Sequence, residues 1–121
     1  MQDEDHPWPE EIRLTDQGGK LIVIFDAGES YELEAEYLRV ESPSAEVKGH
    51  GAGQEVTVPG KRHVRIIDVA PVGNYAVRLT FSDNHSTGLY AWHYLAKLGR
   101  DKETIWQAYL DKLEAEGLSR D

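Results

Sequence analysis

Along residues 74–95 (NYAVRLTFSDNHSTGLYAWHYL) the spacing of apolar positions changes. Tyr75, Val77, Leu79 and Phe81 alternate with Ala76, Arg78, Thr80 and Ser82. That period of two predicts a half-buried strand. Asp83-Asn84-His85-Ser86 supplies turn chemistry, and from Gly88 the spacing shifts to three and four. Leu89, Trp92, Leu95, Ala96 and Leu98 then share a helical face, with Tyr90 and Tyr94 beside it. A strand hands over to a helix, with a histidine at the junction. Upstream, residues 20–26 (KLIVIFD) are a near-continuous apolar run rich in β-branched side chains, which predicts a central strand. Ile12 and Leu14 begin a short strand before it, and Asp16-Gln17-Gly18-Gly19 forms the turn between them. After Ala27-Gly28-Glu29, residues 30–33 alternate with Tyr31 and Leu33 inward, completing a meander. Residues 63–71 (HVRIIDVAP) predict a central or bulged strand ended by Pro71, joined through Val72-Gly73-Asn74 to the strand that follows.

The remaining segments are shorter. Residues 34–40 (EAEYLRV) contain helix formers over little more than a turn. Ser42-Pro43 reads as an N-cap and first helical proline, with one further helical turn over 44–48. The glycine-rich residues 49–53 lack the lysine and serine or threonine of a P-loop and read as a connector. Residues 55–58 predict a brief strand. Gly99 is the expected C′ residue of the first long helix, and Asp101 the N-cap of a second. Ile105, Trp106, Tyr109, Leu110 and Leu113 repeat at helical spacing until Gly117. Strands come first and helices last, without βαβ alternation. The expected class is α+β: a mostly antiparallel sheet, made of an N-terminal meander and a central hairpin, with two C-terminal helices on one face. Residues 1–9 are expected to be a mobile lead-in whose Trp8 docks on the body, or else on a partner, 10–118 a single domain, and 119–121 a frayed tail.

Composition narrows the chemistry. A chain of 121 residues with 40% hydrophobic content supports one core. There are no cysteines, which removes disulfides, thiolate metal sites and cysteine nucleophiles. The formal net charge of −9 makes nucleic acid a poor partner. No apolar run reaches the ~20 residues that span a bilayer. The acidic start, MQDEDHPWPEE, lacks the layout of a secretory signal, so the expected location is cytoplasmic.

Of the five histidines, His85 stands two residues after Asp83 at a strand end, where both side chains project the same way. With His50 they would suit zinc or non-haem iron. The plainer reading is that Asp83 makes the turn and His85 caps the next helix or bonds to backbone. No serine lies in a G-x-S-x-G elbow. Glu10-Glu11 and the Glu34/Glu36 pair read as solvated faces. Tyr90, Trp92, Tyr94, Trp106 and Tyr109 concentrate aromatic area on the helices, which fits core packing and also the anchors of protein interfaces.

Several blocks, in order, resemble a known family. They are Tyr37-Leu38-Arg39-Val40-x-Ser42-Pro43-Ser44-Ala45-Glu46, Val72-Gly73-Asn74-Tyr75-Ala76-Val77, and Phe81-x-Asp83-x-His85-x-x-Gly88-x-Tyr90-x-Trp92-x-Tyr94-Leu95. The chain is similar to a small bacterial family of unknown function that resembles the N-terminal domain of gamma-butyrobetaine hydroxylase. In those hydroxylases a separate jelly roll carries the iron and oxoglutarate, so the resemblance implies no hydroxylase activity for this chain. Their N-terminal domain holds zinc through three cysteines and one histidine. His85 matches that histidine, whereas the cysteine cluster is replaced by Ser42, Pro43, Ser44, Ala45, Glu46 and Val47. Two versions of the site follow from the resemblance. Either Ser42 or Ser44 bonds to His85 and braces it without metal, or Glu46, His50, Asp83 and His85 form a nitrogen and oxygen site for zinc or iron. Similar domains also occur fused to P-loop ATPases of iron–sulfur cluster assembly.

Two functional readings result. The first is a non-enzymatic accessory module that docks on another protein, such as an iron–sulfur assembly ATPase or an iron-dependent enzyme. Trp8, Tyr90, Trp92 and Trp106 are its candidate anchors. The alternative is a zinc- or iron-binding protein using His85, Asp83, His50 and Glu46.

Overall fold

A computed structural model describes residues 7–44, 47 and 56–121. Strands β1 (Pro9–Thr15), β2 (Lys20–Phe25) and β3 (Ser30–Glu34) form an antiparallel meander in that spatial order. A tight turn at Asp16–Gly18, with all three residues at positive φ, connects the first two strands. Helix α1 (Ala35–Val40) follows directly. A second antiparallel sheet contains β4 (Ile66–Val72), β5 (Ala76–Phe81) and β6 (Leu89–Ala91). Helices α2 (Trp92–Arg100) and α3 (Lys102–Ala115) complete the regular elements among the described residues. The class is α+β, with the antiparallel strands arranged as two sheets.

One core joins them. Leu21, Val23 and Phe25 of β2 and Leu33 of β3 meet Val77, Leu79 and Phe81 of β5, with Leu38 of α1 and Leu95 and Leu98 of α2. Val77, Leu79 and Phe81 are buried and Arg78 is exposed, as the period of two requires. Tyr75 departs from that alternation and is 55% exposed, because it lies before β5 in the hairpin connection. A smaller cluster of Val40, Tyr109 and Leu113 seats α3.

Several sequence expectations are corrected. Leu89–Ala91, expected as the start of a helix, pairs with β5, setting Tyr90 opposite Val77 and Leu89 opposite Arg78. The helix begins only at Trp92. Pro71 lies inside β4 opposite Val77 instead of ending the strand. Because β4 is an edge strand, the missing proline N–H costs the sheet nothing. The register shift between Ile66 and Asp68 is the expected bulge, which leaves Ile67 exposed. Val56–Val58 forms no strand, and the helical turn expected over 44–48 falls mostly outside the described residues.

Gly99 is not a helix terminus. It sits within α2, where an added Cβ would lie 2.3 Å from Cγ of Tyr31. The glycine lets α2 lie directly on β3. Asp101 does stand at the start of α3, but its side chain makes no cap bond. At the other end, Gly117 (φ +70°) terminates α3: its N–H donates to Glu114 O at 3.2 Å and the Leu118 N–H to Leu113 O at 2.8 Å, a Schellman closure.

The expected frayed tail is also corrected. Ser119 O and Arg120 O accept hydrogen bonds from the N–H groups of Gly60 and Arg62 at 3.0 and 3.1 Å. Arg120 donates twice to Glu36, at 2.8 and 2.7 Å. The pull is electrostatic: a buried carboxylate on α1 holds the segment in place.

Candidate functional site

All six residues of α1 are buried, including Glu36 and Arg39. A buried charge needs an opposite partner, and both have one from far along the chain. Glu36, expected on a solvated face, takes Arg120. Arg39 donates through Nε to Asp83 Oδ2 at 2.9 Å. Its Nη1 is buried and makes no hydrogen bond among the described residues. Tyrosines serve the carbonyls at the end of the helix: Tyr90 OH donates to Leu38 O at 2.6 Å and Tyr94 OH to Glu41 O at 2.5 Å. These are the acceptors a helix end leaves open.

Asp83 joins three segments. Lys61 Nζ donates to Oδ2 at 2.6 Å alongside Arg39, and the His85 N–H donates to Oδ1 at 3.3 Å. Burial pushes the carboxyl up, but the hydrogen bonds from Lys61, Arg39 and the His85 backbone outweigh it and lower its pKa from 3.8 to about 2. The carboxylate therefore serves the turn, as the plainer sequence reading expected. Turn geometry is completed by Phe81 N–H donating to His85 O and Asn84 N–H to Phe81 O, each at 2.9 Å.

The His85 ring is held separately. Its Nε2 is hydrogen-bonded to Ser42 Oγ at 2.9 Å and lies 3.4 Å from Ser44 Oγ. Ser44 N–H donates to Ser42 Oγ at 3.3 Å, consistent with Ser42 as a capping residue. Gly88 makes room for the pair, since a Cβ there would come within 2.4 Å of Ser42 Oγ. Ser42 is fully buried, which denies its hydroxyl the access a nucleophile needs.

Among the described residues, His85 Nε2 thus meets two neutral hydroxyls, while Asp83 is engaged by Arg39 and Lys61. No three His, Cys, Asp or Glu side chains among the described residues are placed to hold a metal ion. Glu46 and His50 lie outside the described residues, as does the glycine-rich 49–53 stretch.

The aromatic candidates separate into three settings. Tyr90 is fully buried, and burial pushes its hydroxyl pKa up; it is a core residue and not a surface anchor. Trp8 is 48% exposed, packed edge-to-face on the half-buried Trp92 with ring centroids 6.3 Å apart. The expected docking of Trp8 on the body is observed, and Trp8 O also accepts from the Asp26 N–H at 2.8 Å. Trp92 Nε1 donates to Asn74 O at 2.9 Å, and its backbone N–H to Tyr75 O at 3.3 Å. The second of these bonds joins the backbone of Trp92 to that of Tyr75, an exposed residue that the sequence reading did not single out as an anchor. Trp106 lies elsewhere, against Tyr37 and Tyr109.

Two meander-and-hairpin sheets around a buried helix, with His85 locked to the Ser42-Pro43-Ser44 turn, define a small α+β domain of the hydroxylase N-terminal type. The chain belongs to the gamma-butyrobetaine hydroxylase-like, N-terminal family, which it matches over residues 12–96. Two proteins with solution NMR structures are similar to it at 43% and 42% identity. The first match covers 95% of this chain and 90% of that one, with a TM-score of 0.82; the second covers 99% and 89%, with a TM-score of 0.83. A crystallised protein of unknown function from Acidithiobacillus ferrooxidans, of the DUF971 family, is 41% identical over 75% of this chain and 91% of its own, with a TM-score of 0.62. No curated protein matches at a significant level. No helix among the described residues is long and apolar enough to cross a membrane.

Proposed function

We propose that this chain is a non-enzymatic interaction module that docks on another protein through the face formed by Trp8, Trp92 and Tyr75. The observation that carries the reading is the half-exposed Trp8 ring standing on Trp92, whose backbone N–H is bonded to the carbonyl of the exposed Tyr75. Large aromatic rings held at one place on a surface are the usual anchors of protein interfaces. The engagement of Asp83 by Arg39 and Lys61 and of His85 by Ser42 is consistent with a bracing role for this network within such a module. The likeness to the N-terminal domain of an iron-dependent hydroxylase makes iron-dependent enzymes and iron–sulfur assembly systems the first partners to test.

Binding of a co-purifying partner by the wild type and by the Trp8→Ala/Tyr75→Ala variant tests the proposal. Both side chains are largely outside the core, so the variant should keep the fold. Affinity should fall at least about tenfold, as expected for aromatic anchors. Unchanged affinity in the folded double variant would reject this face as the docking surface.

A further inference from the structure

A cleft of about 460 Å³ opens between α1 and α3, lined by Glu34, Glu36, Tyr37, Lys102, Trp106 and Arg120 among others. Its charges are arranged unequally. The Glu36 side chain is only 8% exposed, whereas the Arg120 side chain that pairs with it is 32% exposed. The receiving carboxylate belongs to the buried helix; the cation arrives from a surface segment. Arg120 presents Nε and Nη2 to the two Glu36 oxygens, at 2.8 and 2.7 Å, and its guanidinium carbon lies 5.3 Å from the Trp106 ring centre. A planar fork on a carboxylate, with an aromatic ring beside it, recognises guanidinium better than ammonium.

The segment carrying Arg120 is held by little else. Its backbone bonds with Gly60 and Arg62 and the Arg62–Asp121 ion pair lie at the surface, where Gly60, Arg62, Ser119 and Asp121 are all exposed. Exposed ion pairs contribute little. Leaving Glu36 buried and unpaired would be costly, so the cleft favours exchange of one cation for another over vacancy. Lys102 is already committed to Glu34 at 2.7 Å and to Glu32 O at 2.8 Å, while Glu103 stands exposed on the rim.

We propose that this cleft is a receptor for an arginine side chain presented by a partner protein, and that Arg120 is its internal competitor. Displacing Arg120 would free the 119–121 segment from Gly60 and Arg62, coupling occupancy of the cleft to release of that strap. The proposal rests on the interaction-module reading for the source of the arginine, but it does not use the Trp8 face.

The test is an NMR titration of the isotope-labelled chain with N-acetyl-arginine amide, following the Trp106 indole signal. In an Arg120→Ala variant the signal should shift and saturate at a concentration at least about tenfold lower than in the wild type, because the competitor is gone. N-acetyl-lysine amide should act at least about tenfold more weakly. Adding Glu36→Gln to Arg120→Ala should abolish the response. In the wild type, saturation should also move the Gly60 and Arg62 amide signals as the strap leaves. Should Arg120→Ala fail to fold, this wild-type titration decides the matter alone. A Trp106 signal unmoved into the tens of millimolar, equal responses to both amides, or an undiminished response without the Glu36 charge would overturn the proposal. The Trp8→Ala/Tyr75→Ala variant should titrate like the wild type, which separates failure of this site from failure of the docking face.

Discussion

Asp83 binds the β5–β6 connection to α1 through one carboxylate, accepting from Arg39, Lys61 and the His85 backbone. Its folded pKa is depressed below the ordinary value of 3.8, to about 2. The stabilisation it gives is therefore present above the unfolded pKa and lost as pH falls through the folded one. A shift of this size corresponds to about 2 kcal/mol. Asp83→Asn should be less stable than the wild type by roughly that amount near neutral pH, and the gap should close between about pH 4 and 2. Urea denaturation of both proteins across that window checks it, and a gap that persisted at the acid end would assign the loss to shape and not charge. His85 was legible as a junction residue from its place after the alternating strand. Its bond to Ser42 was foreseen only through the family resemblance, because no local spacing relates positions separated by 43 residues. The Glu36–Arg120 pair left no sequence signal at all, at a separation of 84, and Glu36 looked like one more acid on a solvated face.

Among the elements, the strands of the meander and of the β4–β5 hairpin were readable because alternation and turn residues agreed. β6 was not, since Leu89–Ala91 is three residues long and the same apolar positions also satisfy a helical spacing. Pairing with β5 decides the matter by burying Tyr90 and leaving Leu89 outside. Gly99 misled for a related reason: glycine at a helix end and glycine at a close packing contact look alike in sequence. Its role predicts the sign of a substitution. Gly99→Ala improves intrinsic helix propensity by about 1 kcal/mol, yet its Cβ would meet the Tyr31 ring. We expect a net loss of about 1–3 kcal/mol from this overpacking, read as a lower urea midpoint. A gain in stability would mean that α2 and β3 separate easily.

For the whole molecule, the α+β class followed from element order, and the family assignment now covers most of the chain. Division of the strands into two sheets was beyond the sequence, because the same hairpins extend one sheet or face each other across a core. The two-sheet arrangement buries α1 and leaves two separate surface features: the Trp8, Trp92 and Tyr75 face, and the Glu36 cleft beside Trp106. We propose that the first of these docks a partner. Hydrogen–deuterium exchange of the chain alone and in complex with its purified partner tests this. Protection concentrated at the amides of Trp8, Tyr75 and Trp92, with the strands beyond them unchanged, is the predicted result. Protection elsewhere, with those three amides exchanging as in the free chain, would contradict it.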